Sequence, residues 1–382
     1  MVTARPFQPG DEAEIARMRK VAFGNHDAEW GVQAPTWWGV VVEDDIGLCG
    51  SLRAWDYCQF FGGVAVPMAG VASVTVDPHA RGRGVAGALL VKSLERMREE
   101  GQVVSTLFAA TPPLYRAYGW ERVGALEQLS LPPAAFGWVA KPGAPTPLRR
   151  AREADLADIH RLYLDVASTV DGMLDRSGPL FDISKLLTLD TVNVIDGDGG
   201  LRGFCSSARR PRTDILDVYD LVARDADAGR AMLAALASWS GQVDRIQLRR
   251  VDPLVWDLLL SLPGHHTATV EPIMLRVVDL AAAVAARGWP VGLPDFAVDM
   301  DVTDEHAPWN AGRHRLVFES GQARVEPGGD GGVRVTAQAL AAWYAGAATV
   351  ADLRRAGLID GDAPLLDLAS RAPRRLSIAD SY

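Results

Sequence analysis

Residues 74–87, V-T-V-D-P-H-A-R-G-R-G-V-A-G, allow few local folds, because a strand, a stop, a basic glycine turn and a helix follow without a break. Residues 71–76 are largely β-branched and apolar and read as a strand; Asp77-Pro78 ends it, and residues 81–84 form a basic turn containing glycine. Ala86, Leu90, Leu94 and Met97 then draw the apolar face of a helix. A helix that opens on glycines presents unpaired amides and the positive end of its dipole, and glycine lets a phosphate approach closely. Arg81 and Arg83 add charge. The stretch therefore reads as a pyrophosphate cradle for a nucleotide-like cofactor; an ordinary solvated turn is the other reading.

Arg81-x-x-Gly84-x-Ala86 resembles the acetyl-CoA signature of the GCN5-related N-acetyltransferases, the GNAT superfamily, in which the turn amides hold the CoA pyrophosphate. A second segment agrees. After an apolar strand over 103–109, residues 114–120 read L-Y-R-A-Y-G-W and resemble the Y-x-x-x-G-aromatic segment of the same enzymes.

A GNAT domain would use less than half of the 382 residues, and that length favours two or three domains. With 48% hydrophobic and 23% charged residues, a sizeable core is available. The net charge of -9 disfavours binding to a nucleic-acid backbone and leaves room for cationic substrates. Cys49, Cys58 and Cys205 are too scattered for a disulfide framework or a zinc site, and no His pair brackets a carboxylate at metal spacing, so no metal is expected. The first residues lack a secretory pattern, and no apolar run is long enough to cross a bilayer, so a cytoplasmic protein without membrane insertion is expected.

Residues 131–150 are rich in proline, alanine and glycine and break periodicity, which marks a boundary. Beyond it, Arg149, Asp155, Ile159 and Leu162 echo Arg5, Asp11, Ile15 and Met18 at one offset, suggesting an internal duplication. The second copy has strands over 192–195, 201–209 and 215–222. Where a cradle should follow, it reads A-R-D-A-D-A-G-R-A, whose Asp225 and Asp227 would oppose a pyrophosphate. Strands over 296–302, 314–319, 323–326 and 333–335, then helices over 337–344, 350–356 and 364–369, indicate a small terminal α+β domain.

The resulting fold expectation is α/β (α+β): an N-terminal GNAT domain over 1–138, a degenerate GNAT-like domain over 147–285 and a domain over 290–382. The last resembles a sterol carrier protein, and the order resembles the Eis (enhanced intracellular survival) acetyltransferases. The resemblance implies an acetyl-CoA-dependent N-acetyltransferase, without metal, acting on a small-molecule or peptidyl amine such as an aminoglycoside, polyamine or lysine. It also implies a homohexamer. Acetyl-CoA would be held by Val74, Thr75, Val76, Gly82, Arg83, Gly84, Val85, Ala86 and Gly87, with Ala110 and Thr111 matching a further CoA-contacting pair. The rival class is a CoA- or lipid-binding carrier.

Acetyl transfer needs a proton for the departing thiolate, and a tyrosine, with an ordinary pKa of about 10, is near a thiol in acidity. Tyr115 and Tyr118 both lie in the second motif; the Eis pattern assigns the acid to Tyr115. It assigns the base to the terminal carboxylate, here that of Tyr382, although this chain has Ser381 at the penultimate position with Asp380 before it. Residues 25–38, with Asp27, Glu29, Trp30, Trp37 and Trp38, lie where the family shapes its acceptor channel. Carboxylates and aromatic faces there would suit a cationic amine, or the tryptophans are core and the acids solvated.

Overall fold

The computed structural model describes residues 2–24, 36–249, 253–259 and 267–370, with Leu376, Ile378 and Asp380. In chain order it opens with β1 (Thr3–Pro6), α1 (Glu12–Phe23), β2 (Trp37–Glu43), β3 (Leu48–Phe61), β4 (Val64–Val76) and α2 (Val85–Glu99). There follow β5 (Val104–Phe108), α3 (Pro112–Ala117), β6 (Glu121–Leu131), β7 (Arg149–Arg150), α4 (Leu156–Ala167), β8 (Thr191–Gly197), β9 (Gly200–Arg209) and β10 (Ile215–Ala223). Then come α5 (Ala226–Leu236), β11 (Arg245–Arg249), α6 (Pro253–Leu259), β12 (Thr267–Val277), α7 (Leu280–Ala286), β13 (Phe296–Thr303) and β14 (Gly312–Glu319). The last elements are β15 (Gln322–Pro327), β16 (Val333–Thr336), α8 (Ala337–Tyr344), α9 (Val350–Arg355), β17 (Ile359–Asp360) and α10 (Leu365–Ser370).

Two compact units result. One gathers Met1–Gly124 with Pro272–Arg375, the other Ala125–Glu271 with Leu376–Ser381. This cuts across the three stretches read from the sequence, because β12 falls in the second stretch while its Ile273–Val277 pair antiparallel with Phe108–Val104 of β5 in the first.

In the first unit the strands run β1-β2-β3-β4-β5-β12, antiparallel except for the parallel pair β4–β5. Under α2, Leu89, Leu90, Leu94 and Met97 are completely buried against Trp38, Val40, Leu52 and Val71. The apolar spacing thus becomes the packed face of the helix, and each such side chain contributes about 1.5–3 kcal/mol. Two irregularities open the site. Ser51 faces Thr75 and Arg53 faces Ala72, so Ser73 and Val74 together oppose Leu52 in a β-bulge, with Ser73 at φ 52°. The β4–β5 pairing covers only Met68–Val71 against Val104–Leu107, so beyond Val71 the edge of β4 toward β5 is open.

The C-terminal part of this unit is a sheet ordered β15-β14-β13-β16-β17. Every residue of its helix α8 except Gln338 is buried; Trp343 stacks on Trp289 at 5.6 Å, and Tyr344 donates its hydroxyl to Ala283 C=O (3.1 Å). The strands and helices expected here from the sequence are all present.

In the second unit the strands run β11-β10-β9-β8-β7, again with one parallel pair, β10–β11. Its start repeats that of the first unit. Arg5 donates to both oxygens of Asp11 (2.8 and 2.9 Å) and to Glu43, while Arg149 donates to both oxygens of Asp155 (2.7 and 2.8 Å) and to Asp196. Asp11 also accepts from Gln8 N–H (2.9 Å), as Asp155 does from Arg152 N–H (2.7 Å). Ile15 and Met18 are buried, as are Ile159 and Leu162.

Leu94→Ala is expected to lower the unfolding free energy by about 2–5 kcal/mol, since a fully buried leucine leaves a cavity that the sheet can only partly close. Urea denaturation followed by circular dichroism measures this; a change below about 0.5 kcal/mol would contradict the packing described.

Candidate functional site

The cradle is built where β4 ends. Asp77 closes the strand: its amide donates to Cys49 C=O (2.9 Å), and its carboxylate accepts from His79 Nδ1–H (2.7 Å) and from the Arg17 guanidinium. That arginine, helped by His79, holds the Asp77 carboxyl at about 2. After the short turn Pro78–Ala80, Gly82 and Gly84 take φ of 75° and 81°, which a side chain would resist. Gly84 is the N-cap of α2. The helical ladder starts with Ala88 N–H on Gly84 C=O (3.0 Å), so the amides of Val85, Ala86 and Gly87 precede it, where a helix has no internal acceptors. Fifteen residues of aligned peptide dipole stand behind them.

This geometry refines what each expected residue can offer. Arg83 pairs with Asp44 (2.9 Å), so its backbone, more than its charge, belongs to the turn. The Thr75 hydroxyl is bonded to that of Ser51 (2.7 Å), and Val85 is in the core; both have only main chain to give. Val74 and Val76 flank Thr75 on the open edge of β4. Ala110 and Thr111 are exposed at the end of β5, directly before α3. Pro112 and Pro113 open that helix, where their missing amides cost nothing.

In the second motif Tyr115 is buried, its ring edge-on to Trp120 at 6.5 Å, and burial pushes its phenol above the usual value. The proton therefore stays on at neutral pH and is available to donate. Tyr118 is half-buried and lies against the cradle: a β-carbon built on Gly87 would stand 1.9 Å from its Oη. Its ring also packs at a tilt of 31° against His306, with centroids 4.4 Å apart. The glycine of this motif, Gly119, is required twice, by φ of 91° and because a β-carbon would come within 2.7 Å of Arg276 Nε.

The two described tryptophans of the expected acceptor segment are core. Trp37 and Trp38 are buried, and both already carry a guanidinium of this chain, Arg53 over Trp37 at 4.4 Å and Arg96 over Trp38 at 4.8 Å. Asp27, Glu29 and Trp30 lie outside the described residues, as does Tyr382.

In the second unit the corresponding helix, α5, is N-capped by Asp225, whose carboxylate accepts from Ala228 N–H (2.9 Å) and from two nitrogens of Arg202 (both 2.8 Å). The place of an anionic ligand is taken by a side chain. Leu376, Ile378 and Asp380 also sit in this unit: the first two are buried, and Asp380 pairs with Arg176 (2.7 Å), which bonds Asp220 (2.8 Å) and lies over the Tyr163 ring at 4.1 Å. Nothing in local sequence signals this cluster, or the reach of His306 to Tyr118. Among the described residues no group of His, Cys, Asp and Glu could hold a metal ion, and no helix is long and apolar enough to cross a membrane.

Residues 3–123 match the acetyltransferase (GNAT) domain family and residues 280–375 the sterol carrier protein domain family. An N-acetyltransferase of Streptomyces coelicolor is 27% identical over 78% of this chain and 76% of its own length. The N-acetyltransferase Eis of Mycobacterium tuberculosis is 26% identical over the same shares. A GCN5-related N-acetyltransferase of Kribbella flavida superposes over the whole of both chains with a TM-score of 0.82 at 27% identity. Eis1 of Mycobacterium abscessus does so at 0.75 with 22% identity, which speaks for the fold. The chain is an N-acetyltransferase with a GNAT domain and a sterol carrier protein domain, and it is similar over most of its length to Eis. In this chain the first turn of α2 has no side-chain cap, whereas that of α5 is capped by Asp225.

The Asp77 lock should be visible in acid. Its folded pKa lies below that of an unfolded aspartate, so its contribution is complete above about pH 4 and is lost as the pH falls through about 2. Asp77→Asn should cost about 1 kcal/mol at pH 6, Arg17 being half in water, and less at pH 3. Urea titrations of both proteins at the two pH values measure the difference; a constant gap would show that Asp77 acts only as a neutral cap.

Proposed function

We propose that this enzyme transfers an acetyl group from acetyl-CoA to a cationic amine, of the aminoglycoside, polyamine or lysine class, by direct attack within a ternary complex. The observation that carries the proposal is the run of unsatisfied amides at Val85, Ala86 and Gly87, set beside a strand edge that β5 leaves open after Val71. Those amides, with the main chain of Val74, Thr75, Val76, Gly82, Arg83 and Gly84, would hold the pyrophosphate and pantetheine, with Ala110 and Thr111 on the opposing strand end. Acetyl-CoA supplies the activated thioester. The amine nitrogen attacks its carbonyl carbon, the C–S bond breaks, Tyr115 donates its proton to the thiolate, and the nitrogen sheds a proton to a base.

A covalent acetyl-enzyme is disfavoured by the state of the thiols. Cys49 and Cys205 are buried, and burial pushes Cys205 up to about 12, far from a nucleophilic thiolate. The open cleft of about 360 Å³ in the C-terminal sheet is lined by Val298, Val333 and Leu365 as well as by Asp299, Asp330 and Asp362. The proposal includes assembly as a homo-oligomer, a hexamer by the Eis resemblance, which sedimentation velocity would measure.

Steady-state kinetics with a panel of amines, and mass measurement of the products, tests the activity and names the acceptor. Tyr115→Phe is expected to lower kcat by about 10²-fold or more while CoA affinity stays within about twofold. Full turnover in this variant would remove Tyr115 as the acid.

A further inference from the structure

Among the residues that the sterol-carrier-like part brings against the acetyltransferase part, His306 is the one that meets Tyr118 beside the cradle. His306 lies in the loop that follows β13, and its imidazole is half-buried against the Tyr118 ring, with centroids 4.4 Å apart and planes inclined by 31°. On its other side Tyr118 places Oη over Gly87, where a β-carbon would be 1.9 Å from the oxygen and 2.7 Å from Cζ. Gly87 is the third residue of α2, so the phenol bears on the turn whose amides precede the helical ladder.

The loop that brings His306 there is fixed at both ends. Asp304 is buried and accepts from Arg276 Nη2 with both oxygens at 2.6 Å, and from Ala307 N–H at 3.0 Å. Asn310 donates to Val278 C=O (3.0 Å) and accepts from Leu280 N–H (2.9 Å), while Trp309 donates to Val278 C=O (2.8 Å). The backbone of this loop cannot carry His306 away from Tyr118 without breaking a buried ion pair. The aromatic residue of the L-Y-R-A-Y-G-W segment is thereby clamped between a histidine from one part of the chain and a glycine of the cofactor turn from another.

The geometry points to His306 as a positioning residue for acetyl-CoA: through Tyr118 it holds the first turn of α2 in the form that receives the pyrophosphate. The inference rests on the acetyl-CoA reading of the cradle. It gives the C-terminal part a task in the reaction that requires neither a lipid nor a tunnel, and it accounts for glycine at position 87 by packing as well as by ligand approach.

The test uses the full chain and CoA itself as the probe, titrated by calorimetry, with melting temperatures in parallel. His306→Ala should weaken CoA about three- to tenfold, the range expected for losing one aromatic stack, with kcat at saturating acetyl-CoA within twofold of wild type. His306→Phe, which restores a ring, should return CoA affinity to within twofold. His306→Leu fills the space without an aromatic face and should behave like the alanine variant, which keeps the comparison valid if alanine does not fold. Wild-type binding with equal affinity in the alanine or leucine variant overturns the brace alone. Equal weakening in the phenylalanine variant also overturns it, since the ring would then do nothing. A wild-type chain that binds no CoA overturns the reading of the cradle, and this inference with it.

Discussion

One residue too many in β4, at Ser73 and Val74 opposite Leu52, parts this strand from β5 and so makes room for a ligand in an otherwise continuous sheet. Ser73 sits at φ 52°, which for a residue other than glycine costs of order 1–3 kcal/mol. Buried neighbours hold it. Thr75 is bonded to Ser51 immediately after the bulge, and Asp77 is tied to Arg17 and His79 where the strand stops. Without the bulge, β4 would continue its pairing past Val71 and Leu107, and the glycine turn would lead into a closed sheet edge.

The same unit depends on a second constraint, an ion pair buried on both sides. Arg276 and Asp304 have side chains 0% and 2% exposed. Desolvation of two charges makes such a pair a poor source of net stability, but removing one partner leaves an uncompensated buried charge at about 3–5 kcal/mol. Its value here is registration. Arg276 belongs to β12, paired with β5, and crowds Gly119 of the tyrosine segment, while Asp304 begins the loop that carries His306.

What the sequence revealed and what it did not divide along contact distance. The strand, the glycine turn and the apolar face of α2 are local, and Val74 through Met97 state them without help from elsewhere. The loss of the cradle at Asp225 was equally plain, because a carboxylate at a helix N-terminus caps it and repels an anion. Trp37 and Trp38 fit an acceptor wall as well as a core from sequence alone, since nothing near them in sequence names Arg53 and Arg96 as the cations that cover them. His306 on Tyr118 and Asp380 on Arg176 join residues so far apart along the chain that only the fold brings them together.

The two halves of the duplication differ most where they are geometrically closest. β10 repeats the bulge of β4, with Tyr219 as its extra residue, and its parallel pairing with β11 stops at Val218 and Leu248 just as the first stops at Val71 and Leu107. Directly past the bulge, Ser51 faces Thr75 in one copy and Ser206 faces Asp220 in the other, each pair sharing a hydrogen bond. Replacing a hydroxyl by a carboxylate at that point demands a cation, and Arg176 supplies it; Arg176 in turn takes Asp380 from the tail. Asp225 meanwhile occupies the helix end. The second unit therefore repeats the backbone pattern of the first but fills the corresponding helix end with its own charges, so of these two described turns the one before α2 is the one left open to an anion.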